Sequence, residues 1–266
     1  MRVVSWNMRR ALADSPGWQV LSDLDPDIIL LQEVTRIPGE FVEVFSVITD
    51  HPTAKDGNPQ KFQSAVLSKF PLEANLPLNS ELAWVNGEYK HYSGNILSCK
   101  AKTERGKQLN LISFYSPAWH IPDQRLGGSD LSKVKLTDNP NVYVTEVLWK
   151  LLTDSMSSVG GSWIIGGDFN SSTTFDWMWG EKPRGNQEII DRMNALGLSD
   201  CLSTHAGELV PTFKNARGGK VIHQMDYIYT DSQLGERLCS SGVVGDRTIF
   251  ERSLSDHLPV VADFAD

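Results

Sequence analysis

The run Ser162-Trp163-Ile164-Ile165-Gly166-Gly167-Asp168-Phe169-Asn170 constrains the chain most. Its apolar part has the length and composition of a buried strand. Its end is polar and glycine-flanked, so an aspartate and an asparagine stand where the strand stops. Residues i and i+2 of a strand face one way. An extended chain through Phe169 would therefore bring Asp168 and Asn170 to one place. Taken singly, a strand ending in Gly-Asp-Phe-Asn is an ordinary turn.

Four other segments repeat the design. Val3-Val4-Ser5-Trp6-Asn7 ends in an amide, and Asp27-Ile28-Ile29-Leu30-Leu31-Gln32-Glu33 in a carboxylate. Met225-Asp226-Tyr227-Ile228-Tyr229 carries an aspartate within a β-rich stretch. Ser255-Asp256-His257-Leu258-Pro259-Val260 sets an Asp-His pair before the last apolar run. Each alone reads as a polar strand end. Strands gathered in one sheet would cluster these ends, and oxygen-rich clusters suit Mg²⁺ or Mn²⁺.

Between these points the pattern alternates strand and helix. Trp18, Leu21 and Leu24 predict a helix over 17–24, broken at Asp25-Pro26. Residues 62–68 predict a strand, and 95–102 with 108–115 a hairpin around Thr103-Glu104-Arg105-Gly106-Lys107. Val144, Val147, Leu148, Leu151 and Leu152 form a core stripe on a helix over 142–152. A second helix over 187–196 stops at Gly197. Strands over 221–230, 240–249 and 258–264 close the chain. Residues 120–139 and 171–185 have loop composition, and loops of that length are often functional. Pattern alone yields α/β or α+β.

Composition sets limits. The chain has 266 residues, 40% of them hydrophobic, which suits one large domain over 1–266. No apolar run is long enough to span a membrane. Motif-bearing sequence begins at once after Met1, leaving no room for a cleavable leader. Cys99, Cys201 and Cys239 form no zinc pattern and no even disulfide set, so buried thiols in a reducing cytoplasm are expected. The net charge of −8 argues against indiscriminate duplex binding. Local cations still stand near the polar ends: Arg9 and Arg10, Lys182 and Arg184, and Lys214, Arg217 and Lys220.

Taken in order, Ser5-Trp6-Asn7, Leu31-Gln32-Glu33, Ser64 to Pro71, Tyr115-Ser116-Pro117, Gly167-Asp168-Phe169-Asn170, Asp226-Tyr227 and Ser255-Asp256-His257 span nearly the whole chain. The set resembles the endonuclease/exonuclease/phosphatase superfamily of DNase I, exonuclease III and abasic-site endonucleases. The resemblance implies a four-layered sandwich, two packed mixed β-sheets flanked by helices. It implies a metal-dependent phosphodiesterase, an endo- or exonuclease on DNA or RNA, with a phosphatase or phosphodiesterase on a small nucleotide, inositol phosphate or phospholipid as the alternative. A fold shared so widely does not settle the substrate.

The same resemblance implies roles. Glu33 is the first metal ligand for Mg²⁺ or Mn²⁺, with Asp256 and Asn7 close to the ion; Asn7 binds through its amide oxygen or holds a carboxylate in place. Asp168 activates water, and Asn170 and Tyr115 contact the phosphate. His257 is a phosphate contact or acid/base, and Asp226 holds its ring. A monomer acting on nucleic acid is expected, with Arg9, Lys214, Arg217, Trp177 and Trp179 as substrate contacts. The aromatics of 175–179 would stack on bases or pack their loop. Trp119, His120, Trp84, Tyr89, His91 and Tyr92 face the same choice. Many relatives carry an arginine two residues before the Asp-Tyr aspartate, where this chain has Gln224.

Overall fold

A computed structural model describes residues 1–178, 184–215, 219–245 and 247–265. Trp179, Lys182 and Arg217 lie outside the described residues, as does the side chain of Trp177.

The strands are β1 (Arg2–Ala11), β2 (Ile28–Val34), β3 (Ser46–Asp50), β4 (Gln63–Ser68), β5 (Leu72–Ala74), β6 (Ile96–Lys102), β7 (Gln108–Tyr115) and β8 (Ser162–Asp168). After them come β9 (Leu198–Asp200), β10 (Phe213–Lys214), β11 (Val221–His223), β12 (Asp226–Asp231), β13 (Leu238–Val243) and β14 (Val260–Phe264). One six-stranded sheet has the order β13-β14-β1-β2-β4-β3, the other β5-β6-β7-β8-β12-β9, and β10-β11 form a small ribbon. Both large sheets are mixed: β1 pairs parallel with β2, and β7 with β8, while their other pairings are antiparallel.

Three apolar clusters account for the layering. Val3, Leu30, Val66, Leu111, Ile164, Ile228 and Val260 fill the space between the sheets. Val4, Trp6, Ile29 and Leu31 point from the other face of the first sheet onto Trp18 and Leu21 of the helix Gly17–Leu24. Ile112, Phe114, Trp163 and Ile165 cover the far face of the second sheet, under Val147, Leu148 and Leu151 of the helix Val144–Ser155. Strands buried on both faces read as continuous apolar runs rather than alternations, which is the pattern of β2 and β8. Helix, sheet, sheet and helix make the expected four layers.

Gly166 and Gly167 are needed for this packing. A Cβ on Gly166 would come 2.7 Å from Leu30 Cδ1 of the opposite sheet, and one on Gly167 would overlap the carbonyl oxygen of Phe114. The two sheets and the β7–β8 ladder therefore close tightly just before Asp168.

Several expectations need correction. The strand over 240–249 is β13 only to Val243; Arg247–Glu251 form a turn of π-helix, whose Ile249 and Phe250 are buried on the first sheet's outer cluster. The stretch over 120–139 contains the short helix Asp123–Leu126 and is anchored to the body. Leu126, Val134 and Leu136 are buried, and Arg125 grips Glu88 with two hydrogen bonds of 3.0 Å. The stretch over 171–185 contains the helix Thr174–Met178. Cys99 and Cys201 are buried as expected, but Cys239 is exposed at the sheet edge.

Candidate active site

The polar strand ends meet. Asp168 ends β8, with Tyr115 of β7 beside it on one side and Asp226 of β12 on the other, each in direct register. Asn7 of β1 and Glu33 of β2 reach the same place from the facing sheet. The Asn7 amide joins the two sheets: Nδ2 donates to Asp168 Oδ2 at 3.1 Å and to Glu33 Oε1 at 3.5 Å, while Oδ1 accepts from the Arg9 backbone N–H at 3.0 Å. The amide nitrogen thus touches both carboxylates, while the amide oxygen is turned to the Arg9 N–H.

Asp168 and Asn170 do meet, though not through extended chain. The strand stops at Asp168, and Asn170 has a left-handed backbone, φ 47°. The turn lets the Asn170 backbone N–H donate to Asp168 Oδ1 at 3.0 Å. Its side-chain Nδ2 donates to Ser116 O at 2.7 Å and to Asp168 Oδ2 at 3.3 Å.

His257 approaches from the segment leading into β14. Trp6 Nε1 donates to its carbonyl at 2.9 Å, and its own N–H donates to Ser255 Oγ at 3.1 Å, which in turn donates to Asn7 O at 2.7 Å. The ring is held between two carboxylates. Nδ1 lies 2.9 Å from Asp226 Oδ2, and Nε2 lies 3.7 Å from Asp168 Oδ2. Phe213 covers the ring, with centroids 4.8 Å apart.

Burial and charge act together on these groups. Burial raises the Asp168 carboxyl above its ordinary value, and the nearby imidazolium pulls it partly back. Burial alone would lower the His257 ring; the charges of Asp226 and Asp168 more than offset this and favour its protonated form. Burial, with the charges of Glu33 and Asp168, pushes the Tyr115 phenol well up, so it stays a hydrogen-bond donor.

Pattern reading missed Thr212. It is fully buried, and its Oγ1 donates to Asp226 Oδ2 at 2.6 Å while accepting from the backbone N–H groups of Met225 and Asp226. A threonine in Val210-Pro211-Thr212-Phe213 carries no periodic signal; only the fold puts it behind Asp226. Gln224 is structural: Nε2 donates to Asp200 Oδ2 at 2.8 Å and Oε1 accepts from Val210 N at 3.0 Å.

Asp168, Asp226 and His257 offer ligand atoms within 4.8 Å of one another. Within this triple the Asp226–His257 hydrogen bond already occupies His257 Nδ1. The oxygens of Glu33 and Asp256, with Asn7 alongside, are hard donors of the kind magnesium and manganese take. Arg9 Nε lies 3.9 Å from Asp256 Oδ1 and Arg10 Nε 4.0 Å from Glu33 Oε2. Lys214 stands beside the site, its backbone N–H donating to Asp256 O at 2.8 Å and its Nζ 5.5 Å from the Phe250 ring.

The remaining aromatics mostly pack the body. Tyr92 is buried, and Trp84 and Tyr89 lie against the helical core. His120 meets Tyr143 edge-on at 6.3 Å, and Phe175 packs on His223 at 4.4 Å. A cavity of about 330 Å³ opens beside Asn170, lined among others by Leu136, Tyr143, Glu146, Phe175 and Arg184.

Solved structures share this fold. An AP endonuclease from Archaeoglobus fulgidus superposes with a TM-score of 0.68 at 19% identity, over 100% of both chains. The Xenopus laevis APE2 catalytic domain gives 0.69 at 18%, over 99% of this chain and 91% of that one. The 3′ phosphatase NExo from Neisseria, bound to product DNA hairpin, gives 0.64 at 19%, over 100% of both. No curated protein matches the sequence. The endonuclease/exonuclease/phosphatase family model matches residues 4–257, which takes in every strand end that meets at Asp168. The chain belongs to that family.

Proposed function

We propose that this chain is a divalent-metal-dependent phosphodiesterase that cuts DNA or RNA by in-line attack of an activated water. The observation that carries the reading is the buried Asp168 carboxylate, bonded to Asn7 and Asn170 and 3.7 Å from a His257 ring that Asp226 holds. A buried carboxyl raised above its usual range is suited to take a proton from water near neutral pH. Asn170 orients Asp168 and, on releasing it, donates to a non-bridging phosphate oxygen. His257 and Tyr115 donate to the same phosphate and stabilise the charge that grows on it. No serine or cysteine nucleophile takes part. Glu33 and Asp256 would hold a magnesium or manganese ion, which would supply Lewis acidity to the phosphate.

The neighbours of this fold include an AP endonuclease and a 3′ phosphatase bound to a DNA hairpin. Both support a polynucleotide substrate. The net charge of −8 and the cavity beside Asn170 favour, as a second reading, a phosphoester of a small nucleotide.

The test is Mg²⁺- and Mn²⁺-dependent hydrolysis over single- and double-stranded DNA, abasic duplex, RNA, a cyclic dinucleotide, inositol phosphates and sphingomyelin. Asp168→Asn and His257→Ala run beside the wild type. Polynucleotide cleavage reduced by about 10³-fold or more in each folded variant is expected. Near-wild-type rates in either variant would sink the assignment, and activity on small phosphoesters alone would favour the second reading.

A further inference from the structure

β1 and β2 keep parallel register from Val3/Ile28 to Asn7/Gln32, lose it, and resume at Ala11/Val34. In the gap, Met8, Arg9 and Arg10 face the lone Glu33. Bulges next to active sites re-aim side chains. Here Arg9, Arg10 and Glu33 all take left-handed backbones, φ 47°, 64° and 53°. Such strain persists only where neighbours over-determine it. The Arg9 N–H donates to Asn7 Oδ1 at 3.0 Å, and Arg10 O accepts from Thr35 Oγ1 at 3.0 Å. Ala11 O then accepts from the backbone N–H groups of Thr35 and Arg36.

The bulge holds two guanidiniums at the rim. Arg9 Nε is 3.9 Å from Asp256 Oδ1, and Arg10 Nε is 4.0 Å from Glu33 Oε2 and over the Phe62 ring. The arginine side chains are 57% and 71% exposed. Ion pairs this open are weak, so the carboxylates shield the arginines without locking them. A phosphate offers a guanidinium the better, bidentate partner. A divalent cation at Glu33 and Asp256 would take the carboxylates and repel the arginines.

We propose that Arg9 and Arg10 are a phosphate-binding pair masked by Glu33 and Asp256, and that divalent cation and substrate phosphate unmask it together. The proposal rests on the metal-dependent reading given above. Without phosphate, the arginines weaken cation binding. With phosphate, cation and anion each strengthen the other, as linkage requires.

Calorimetric titration of the full chain with Mn²⁺, with and without a phosphorothioate-linked DNA oligonucleotide, tests this. The variants are Arg9→Asn with Arg10→Asn, and Arg9→Lys with Arg10→Lys. Asparagine removes the charge and tolerates the left-handed backbone. Without oligonucleotide, the asparagine variant should bind Mn²⁺ about threefold to tenfold tighter than wild type, two weak ion pairs' worth. The oligonucleotide should tighten Mn²⁺ binding to wild type and, in part, to the lysine variant, but not to the asparagine variant. The proposal falls if the asparagine variant binds Mn²⁺ no tighter than wild type, or keeps the oligonucleotide's effect. If wild type binds Mn²⁺ and hydrolyses polynucleotide while the variants behave like it, the masking alone is wrong. If wild type binds no Mn²⁺, the metal-dependent reading falls with it.

Discussion

The two ends of the sandwich each carry a cavity. At the far end, where β7 and β8 begin, a cavity of about 680 Å³ is lined among others by Met1, Phe70, Arg105, Gln108, Gly161 and Arg237. At the near end, some 20 Å along the same strands at roughly 3.3 Å per residue, the cavity beside Asn170 is half that volume. Yet the chemistry gathers at the near end. Arg105 and Lys107 at the far end are exposed to water, which screens and solvates them. Asn7, Asp168, Asp226 and His257 are buried and bond one another across both sheets. Removing water strengthens each of those interactions and makes an unmade one costly. Interlocked buried polar groups, not volume, distinguish the two ends.

Four changes test that contrast, from the largest effect down. Asp226→Asn removes the charge that holds the His257 ring and should lower turnover by about 10²-fold or more. A folded variant with an unchanged rate would show that the Asp226–His257 pair has no part in reaction. Thr212→Val leaves Asp226 Oδ2 with His257 alone and removes the side-chain acceptor of two backbone N–H groups. Turnover should fall about tenfold and stability by roughly 1–3 kcal/mol, read from steady-state rates and denaturant titration; a loss in stability alone would make Thr212 only structural.

Glu146 probes burial beside the site rather than at it. Its Oε2 accepts from the Tyr143 backbone N–H at 3.2 Å, and Oε1 has no partner among the described residues. Burial pushes its carboxyl from 4.5 up to about 8. The folded state therefore binds the proton more tightly than the unfolded state, so stability falls as pH rises from about 4.5 to about 8 and is level above. Glu146→Gln keeps the cap acceptor and abolishes that fall. Denaturant midpoints between those limits should converge at the acidic end and favour the variant by roughly 1–3 kcal/mol at the alkaline end. Parallel pH profiles would show that Glu146 is solvated. Last, Arg105→Gln with Lys107→Gln should change turnover by no more than about twofold, as exposed substitutions do. A larger loss would mean that the far cavity takes part in substrate binding.

Much of the site was legible in the chain because strand ends carry their own signature. An apolar run stopped by a carboxylate, amide or imidazole reads the same in sequence as in space, so Asn7, Glu33, Asp168, Asp226 and His257 could be named. The helix Gly17–Leu24 showed in its apolar spacing, and the hairpin of β6 and β7 in its turn. What escaped has no local period. Thr212 matters only because β12 passes in front of it. The strain at Arg9, Arg10 and Glu33 belongs to a bulge between two strands, and neither strand alone encodes it. The end of β13 also misled, because Ile249 and Phe250 are apolar enough for a strand yet are buried from a helical turn.

By itself the sequence determined which residues would be strand ends, and that their polar caps would be oxygen-rich, because local hydrophobicity and turn chemistry decide where a strand stops. Only the tertiary structure decided which ends meet. Asn7 and Asp168 are 161 residues apart and become hydrogen-bond partners because two sheets close face to face where Gly166 leaves room. That closure also excludes the water that would otherwise solvate Asp168, which raises its carboxyl, and gathers the two carboxylates that keep His257 protonated against its own burial.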